Sequence, residues 1–174
     1  LPRENVRQSI REAIEAGIEI KIITGDSALT TKAIAGKIGL VGEVVEGREL
    51  DNLAEEKWDE IVRTKTIFAR ITPEQKLKVV ETLKRQKEIV AVTGDGVNDI
   101  LALKRADIGI SMGVRGSDVA RDSSDMVLLD DNFASIISAV REGRKVFVNL
   151  KKSIKFLLSE NAAQIFIVMV ALLM

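Results

Sequence analysis

The chain has 174 residues, about the length of one domain with a buried core. Its 26 lysine and arginine residues balance 26 aspartate and glutamate residues, and aromatic residues are scarce, so we expect no nucleic acid partner. Cysteine and histidine are absent, which excludes disulfides, thiolate metal sites and serine–histidine catalysis within this sequence.

Helical and strand patterns alternate along the first 130 residues. The predicted helices begin near Val6 and cover residues 29–38, 50–62, 74–86 and 101–106, with a last one between the final two strands. We interpret Asp118, Arg121 and Asp122 of that last helix as a solvated face. The predicted strands cover residues 18–23, 41–45, 66–69, 89–93, 108–112 and 126–129. This alternation predicts an α/β fold, a mostly parallel sheet with helices on both faces. The charged start of the chain is not typical of a signal peptide.

The first predicted strand ends in Thr24-Gly25-Asp26. A threonine hydroxyl, a glycine that lets the backbone approach an anion, and the amides of the next helix suit a phosphate. That helix, 29–38, is expected to stop at Gly39. We expect it to face the sheet with four apolar residues, Leu29, Ala33, Ile34 and Ile38.

A lysine lies one turn into the helix that follows the strand at 66–69. Pro73 is favourable in the first helical turn, so Lys76 is expected near the edge of the sheet. A lone lysine there is ordinarily a solvated charge, but beside phosphate-binding loops it becomes a counter-ion for a phosphoryl group.

The strand at 89–93 reads as buried and leads into Thr-Gly-Asp-Gly-Val-Asn-Asp, residues 93–99. We expect Gly94 and Gly96 to permit unusual backbone angles there. Asp95 and Asp99 supply carboxylates at the carboxyl end of a strand, where they suit Mg²⁺. The alternative is a glycine turn with solvated acids before a helix. A second Thr-Gly-Asp in one chain favours the ligand site.

The last third of the sequence is a continuous helical pattern from Phe133. Only Gln164 is polar between residues 162 and 174, and six cations precede that run: Arg141, Arg144, Lys145, Lys151, Lys152 and Lys155. The apolar run is shorter than the roughly 20 residues of a bilayer span. We interpret residues 143–174 as a stalk and the beginning of a transmembrane helix, with residues 1–142 in the cytosol. The alternative is a helix that packs on its own domain or on a partner.

Several of these segments closely resemble the P-type ATPases, whose phosphorylation domain has the haloacid-dehalogenase fold. The segments are residues 24–26, 69–76, 93–99 and 106–110. Two further strings, residues 130–133 and 142–144, are similar to the second, cation-transporting class, and the resemblance covers nearly the whole chain. It implies residues 1–142 as the C-terminal part of the phosphorylation domain and residues 143–174 as the start of the fifth transmembrane helix.

The resemblance implies an ATP-driven cation pump that forms and hydrolyses an aspartyl-phosphate. Its cofactors would be Mg²⁺ and ATP, and its location a multi-pass membrane protein with this domain on the cytoplasmic side. Its partners would be the nucleotide-binding, actuator and transmembrane parts of the same ATPase, the lipid bilayer and the transported cation. The implied roles are Mg²⁺ binding by Asp95 with Asp99, phosphoryl contacts from Thr24, Gly25 and Asn98, charge neutralisation by Lys76, and nucleotide contacts from Asp26 and Arg70.

The sequence departs from the family in three places. The nucleophile motif, Asp-Lys-Thr-Gly-Thr, is absent, so we expect the chain alone to be inactive. The family places that motif before a hinge, which residues 1–3 resemble. Ile100-Leu101-Ala102-Leu103 replaces the usual Ala-Pro-Ala-Leu. Gln164, near Asn161, stands where related calcium pumps have a glutamate ion ligand, so the transported ion stays open. The alternatives for function are a soluble haloacid-dehalogenase-type phosphatase and a non-catalytic docking module.

Overall fold

The computed structural model describes residues 5–174, so the hinge that the resemblance implies at residues 1–3 lies outside it. The chain divides into two compact units between Ser135 and Ile136. The first unit holds all the strands of the described residues, and most of one long helix makes up the second. The domain boundary expected at residues 142 and 143 stays a prediction.

Six short strands form two three-stranded sheets, in the orders β1-β3-β2 and β4-β5-β6, and every neighbouring pair is parallel. The strands are β1 Ile22–Ile23, β2 Val44–Glu46, β3 Ile67–Ala69, β4 Ala91–Gly94, β5 Ile108–Met112 and β6 Met126–Leu128. The predicted α/β class is therefore confirmed, although the strands form two parallel sheets where one was expected.

Helices connect the strands in the predicted alternation. They are α1 Val6–Glu15, α2 Ala28–Ile38, α3 Glu55–Thr64, α4 Pro73–Arg85, α5 Ile100–Arg105, α6 Asp118–Asp122 and α7 Phe133–Leu173. Two single turns of 3₁₀ helix, Gly47–Glu49 and Val97–Asp99, precede α3 and α5. Parallel strands require such crossover connections.

Local sequence explains where the helices near the site begin and end. Ser27 caps α2 by accepting a hydrogen bond from the Thr30 amide, and Gly39 ends it with a φ of 80°. Thr72 and Gln75 form a capping box at α4, which begins at Pro73, one residue before the predicted start, with Pro73 in the first turn as predicted. These caps hold the first turns of α2 and α4 beside the ends of β1 and β3.

The largest apolar cluster lies between α3, α4 and the sheet β1-β3-β2. Phe68 and Val79 are fully buried in it, and Trp58 is 2% exposed. The Lys78 ammonium lies 4.5 Å from the centre of the Trp58 ring, a cation–π contact that joins α4 to α3. Val80, Val90 and Ala102 form a second cluster that packs α4 and α5 against β4. Helix α4 is thus packed against both sheets.

Some predicted boundaries were wrong. The first strand covers only Ile22–Ile23 of the predicted 18–23, and within residues 5–174 it pairs on one side only, with β3. The strand at 41–45 is Val44–Glu46, and the helix expected from residue 50 begins at Glu55. Asn52 has a φ of 58°, which interrupts any helix there.

Two expectations about burial were also wrong. Leu29 is 83% exposed and Ile34 40% exposed, whereas Thr31 and Ala35 are the buried residues of α2. In the strand expected to be buried, Ile89 is 84% exposed, and the side chains of β4 alternate between exposed and covered positions. Successive side chains of a strand point to opposite faces of the sheet, so only one face of β4 is covered.

Helix α7 is continuous over 41 residues. In the part of the chain that the structure describes, it is the one helix long and apolar enough to cross a membrane by length and composition. Its large apolar side chains from Val146 onward are exposed, at 40% or more. The predicted helical pattern from Phe133 is therefore confirmed.

Candidate active site

A cavity of about 410 Å³ opens at the carboxyl ends of β1 and β4. Six of the predicted site residues line it: Thr24, Gly25, Lys76, Asp95, Asn98 and Asp99. They come from three segments, namely the loop after β1, helix α4 and the turn after β4, and lie up to 75 positions apart; only the parallel arrangement of strands brings them to one place. Carboxyl ends of parallel strands are where open α/β sheets bind ligands.

An ion pair forms part of the wall of this cavity. The Lys76 ammonium contacts Asp99 Oδ1, and both side chains are largely shielded, at 16% and 12% exposure. Asp99 Oδ2 accepts a hydrogen bond of 3.2 Å from the Asp95 amide. One carboxylate therefore joins α4 to the turn that carries Asp95. Lys76 was expected near the sheet edge as a counter-ion for a phosphoryl group; in the structure its side chain is largely shielded and is paired with Asp99.

The close approach of Asp99 requires glycine at position 94. A Cβ added there would lie 2.5 Å from Asp99 Cβ and 2.8 Å from Asp99 Oδ2. Neither Gly94 nor Gly96 has a positive φ, so the expectation of unusual backbone angles was wrong. Gly94 is needed for space, whereas a Cβ at Gly96 would meet no atom within 4 Å.

The loop after β1 is held through backbone hydrogen bonds. The Thr24 carbonyl accepts from the Ile71 amide at 3.0 Å, and the Asp26 carbonyl accepts from the Arg70 amide at 2.9 Å. The Thr24 hydroxyl oxygen accepts from the Asp26 amide at 3.1 Å. Arg70 has a φ of 50°, a strained angle for a residue other than glycine. The two loops are thus joined where β1 and β3 end.

Asp26 and Arg70, the two residues expected to contact a nucleotide, do not line the cavity. Both are exposed at its periphery. Asn161 and Gln164, the candidate ion ligands, lie in α7 within the other unit and are also exposed. Their roles stay predictions.

The donor set around Asp95 fits a magnesium ion. Its carboxylate is exposed and makes no hydrogen bond or ion pair with any residue between 5 and 174. No group of three or more acidic or histidine residues that could hold a metal occurs among these residues. Mg²⁺ suits such a site, because it usually keeps several waters and takes one or two carboxylates together with substrate phosphates.

A carboxylate also binds the backbone at the start of β4. Asp107 Oδ2 accepts a 2.9 Å hydrogen bond from the Val90 amide, and Asp107 Oδ1 lies 2.9 Å from the Lys84 ammonium. The Val90 amide, followed by Lys84, holds the pKa of the Asp107 carboxyl below its usual value. The strand that carries the Asp95 turn is therefore anchored at its start as well as at its end.

Sequence reasoning missed part of the cavity and its support. Met112, at the end of β5, lines the cavity, and its place at the carboxyl end of a strand beside β4 was the available signal. Arg121 was expected on a solvated face with Asp118 and Asp122. Instead its Nη1 donates to the carbonyls of Gly113 and Gly116, in the loop after β5.

Known proteins resemble this chain in sequence. The family of haloacid dehalogenase-like hydrolases matches residues 1–107. The chain is 47% identical over 176 residues to a calcium-transporting ATPase of Bacillus subtilis, a match that covers 99% of the chain and 20% of that protein. It is 44% identical over 193 residues to the sodium/potassium-transporting ATPase subunit alpha-3 of Gallus gallus, covering 94% of the chain and 19% of that subunit.

A solved structure has the same fold. A zinc-transporting PIB-type ATPase in the E2.Pi state superposes with a TM-score of 0.69 and 29% identity, over 87% of this chain and 21% of that protein. The chain therefore spans about a fifth of the length of the relatives it matches.

Proposed function

Since the chain belongs to the haloacid dehalogenase-like hydrolase family and is homologous to P-type cation-transporting ATPases, we propose that it forms part of an ATP-driven cation pump. Within the pump, this chain supplies the part of the phosphorylation domain that binds Mg²⁺ and the phosphoryl group. The observation that carries this proposal is the single cavity lined by Thr24, Lys76, Asp95 and Asn98 from separate segments.

The cavity residues suit phosphoryl transfer, in which positioning and charge neutralisation do most of the work. Asp95 and waters would hold Mg²⁺, which supplies positive charge beside the phosphoryl oxygens. Lys76 adds a second positive charge, oriented by Asp99. The Thr24 hydroxyl, the Asn98 amide and backbone N–H groups near Gly25 would donate to the remaining oxygens. The exposed Asp26 and Arg70 at the periphery would contact the nucleotide.

The free edges of the two sheets support a nucleophile from outside this sequence. Among the described residues β1 pairs only with β3 and β4 only with β5, and both free-edged strands end at the cavity. A parallel strand between them would pair with both edges and end over Lys76 and Asp95. We place the Asp-Lys-Thr-Gly-Thr nucleophile segment, which the chain lacks, at the end of such a strand.

The apolar helix supports a membrane protein over a soluble phosphatase. Phe147, Leu150 and Leu158 of α7 are more than half exposed, and large exposed apolar surfaces are typical of membrane or partner contacts. The basic residues before the apolar run support a cytoplasmic location for the α/β unit.

The test uses the full-length protein in lipid vesicles. We expect Mg²⁺-dependent transfer of the terminal phosphate of ATP to the protein, as an acyl phosphate that hydroxylamine cleaves, and ATP hydrolysis that a cation stimulates. Hydrolysis of small phosphate esters with no phosphorylated protein and no cation stimulation would instead favour the soluble phosphatase.

Gln164 and Asn161 are proposed as ligands of the transported ion. Gln164 is the one polar residue in the apolar run 162–174, and an amide offers a neutral oxygen where a carboxylate would favour divalent cations. Gln164→Glu is expected to change which cation stimulates hydrolysis, with Ser159→Ala as a control on the same helix. If every tested cation stimulated Gln164→Glu as it stimulates the unmodified protein, position 164 would not face the ion.

A further inference from the structure

A buried carboxylate outside the cavity holds a second loop in place. Asp131 is 5% exposed, and its two oxygens accept hydrogen bonds of 3.0 Å from the Val114 and Arg115 amides. Arg115 Nε also donates to Oδ2, at 3.3 Å. The Val114 amide, then Arg115, keeps the pKa of the Asp131 carboxyl below its usual value. Nothing in the proposed phosphoryl chemistry uses this group, because Asp131 does not line the cavity.

The loop that Asp131 holds, residues 113–117, is clamped from its other side as well. Arg121 Nη1 donates to the carbonyls of Gly113 and Gly116. The loop is also tightly packed, since a Cβ at Gly116 would lie 2.0 Å from the Met112 carbonyl oxygen. Asp131 thus binds amides of the loop while Arg121 binds its carbonyls, and together they specify one loop shape.

This loop reaches the turn that carries the expected metal ligand. At its end, the Ser117 amide donates a 3.0 Å hydrogen bond to the Asp95 carbonyl. The Asp95 amide donates to Asp99 on the other side, at 3.2 Å. The Asp95 backbone is therefore held at its amide by Asp99, which is paired with Lys76, and at its carbonyl by the loop 113–117.

We propose that Asp131 is a positioning residue for the metal site: through the loop 113–117 it fixes the Asp95 backbone and so aims the Asp95 carboxylate. This inference rests on the proposed role of Asp95 in binding Mg²⁺. Groups that orient metal ligands through hydrogen bonds commonly affect metal affinity strongly when they are changed.

The test is Asp131→Asn in the full-length protein. Asn tolerates the φ of 48° at this position, so the variant changes hydrogen bonding and leaves the backbone preference nearly intact. The amide keeps one acceptor oxygen and turns an NH₂ group toward the second loop amide. Arg121→Gln, which removes the clamp on the carbonyl side, is the second variant. Asp122→Asn, an exposed carboxylate at the end of α6, is the matched control.

Hydrogen exchange followed by mass spectrometry gives a readout that does not depend on activity. We expect Asp131→Asn to accelerate exchange by about tenfold in peptides covering both residues 113–120 and residues 93–99, and Asp122→Asn to change neither. Faster exchange confined to residues 113–120, or none at all, would overturn the proposal and leave Asp131 a local structural residue.

The Mg²⁺ concentration for half-maximal phosphorylation provides the second readout. Asp131→Asn and Arg121→Gln are expected to raise it by about tenfold, as other metal-orienting groups do. An unchanged Mg²⁺ requirement in a variant with accelerated exchange at residues 93–99 would also overturn the proposal. If the unmodified protein forms no phosphorylated species, the proposed function fails, whereas the exchange of residues 93–99 still decides whether Asp131 positions Asp95.

Discussion

The tripeptide Thr-Gly-Asp occurs twice in this chain, after β1 and at the end of β4, and the two copies place their aspartates differently. Asp95 lines the cavity, and side-chain and backbone groups from other segments hold its turn. Asp26 lies outside the cavity, and its loop is joined to residues 70 and 71 through the backbone alone. In the first copy it is Thr24 and Gly25 that line the cavity.

The difference shows that the same three residues acquire their roles from their neighbours. After β4 the chain turns through a 3₁₀ helix that returns Asp99 to the Asp95 amide and to Lys76. After β1 the chain enters α2 at once through the Ser27 cap, with no second carboxylate. The Asp95 turn, where we propose that Mg²⁺ binds, therefore differs from the Asp26 turn in having a second aspartate, Asp99, that folds back onto it.

The largest effect is expected from replacing Asp95 and Asp26, one at a time, with asparagine. Asp95→Asn removes the free carboxylate of the cavity and should lower Mg²⁺-dependent phosphorylation of the full-length protein about a hundred- to a thousandfold. Asp26→Asn should leave phosphorylation at saturating ATP intact and raise the ATP concentration for half-maximal phosphorylation by about fivefold, as the loss of one hydrogen bond does. Equal loss in both variants would remove the distinction between the loops.

Lys76→Met is expected to combine a kinetic with a structural effect. It removes a positive charge from the cavity and should slow phosphorylation about a hundredfold. It also leaves the shielded Asp99 carboxylate without its partner, at a cost of about 1–3 kcal/mol in the free energy of unfolding. Rapid-quench kinetics and thermal unfolding measure the two effects, with the exposed Lys104→Met as control. A variant with normal stability would show that the ion pair contributes nothing to folding.

The two glycines of the tripeptides provide a test of packing. Gly94→Ala would drive a Cβ into Asp99 and should destabilise the domain by about 2 kcal/mol, since overpacking typically costs 1–3. That corresponds to roughly 4–8 °C in the thermal midpoint of a domain of this size. At Gly25 the nearest atom to a new Cβ is the Ile71 carbonyl oxygen at 3.9 Å, so Gly25→Ala should leave the midpoint nearly unchanged. Similar midpoints for both variants would contradict the packing argument.

The smallest effect concerns the start of β4 and depends on pH. The folded-state pKa of Asp107 lies below its unfolded value near 4. Its contribution is therefore present at pH above about 4 and is lost as the pH falls through the folded pKa. Asp107→Asn should lower the thermal midpoint at pH 7, and the difference from the unmodified protein should shrink in acid. A constant difference between pH 7 and pH 3 would mean that the carboxylate charge is not responsible.

Much of the fold could be predicted from local patterns. Helix α2 stops at Gly39 and α4 has Pro73 in its first turn as expected, because capping residues act within one turn. Faces and strand lengths were less predictable: Leu29 is exposed and the first strand has only two paired residues. Burial and pairing depend on which neighbour covers each side, and periodicity alone does not identify that neighbour.

The candidate site, like the fold, could be predicted only in part. The sequence by itself determined which groups the proposed chemistry can use: with no cysteine or histidine present, the proposed phosphate and metal ligands are the recurring Thr-Gly-Asp and Lys76. Only the tertiary structure decided that Lys76 pairs with Asp99, that Gly94 is needed for space, and that Arg121 and Asp131 support a loop bonded to Asp95. The contacts of Lys76 with Asp99, of Asp131 with Val114 and of Ser117 with Asp95 join residues distant along the chain, and no short-range rule specifies which of them fold together.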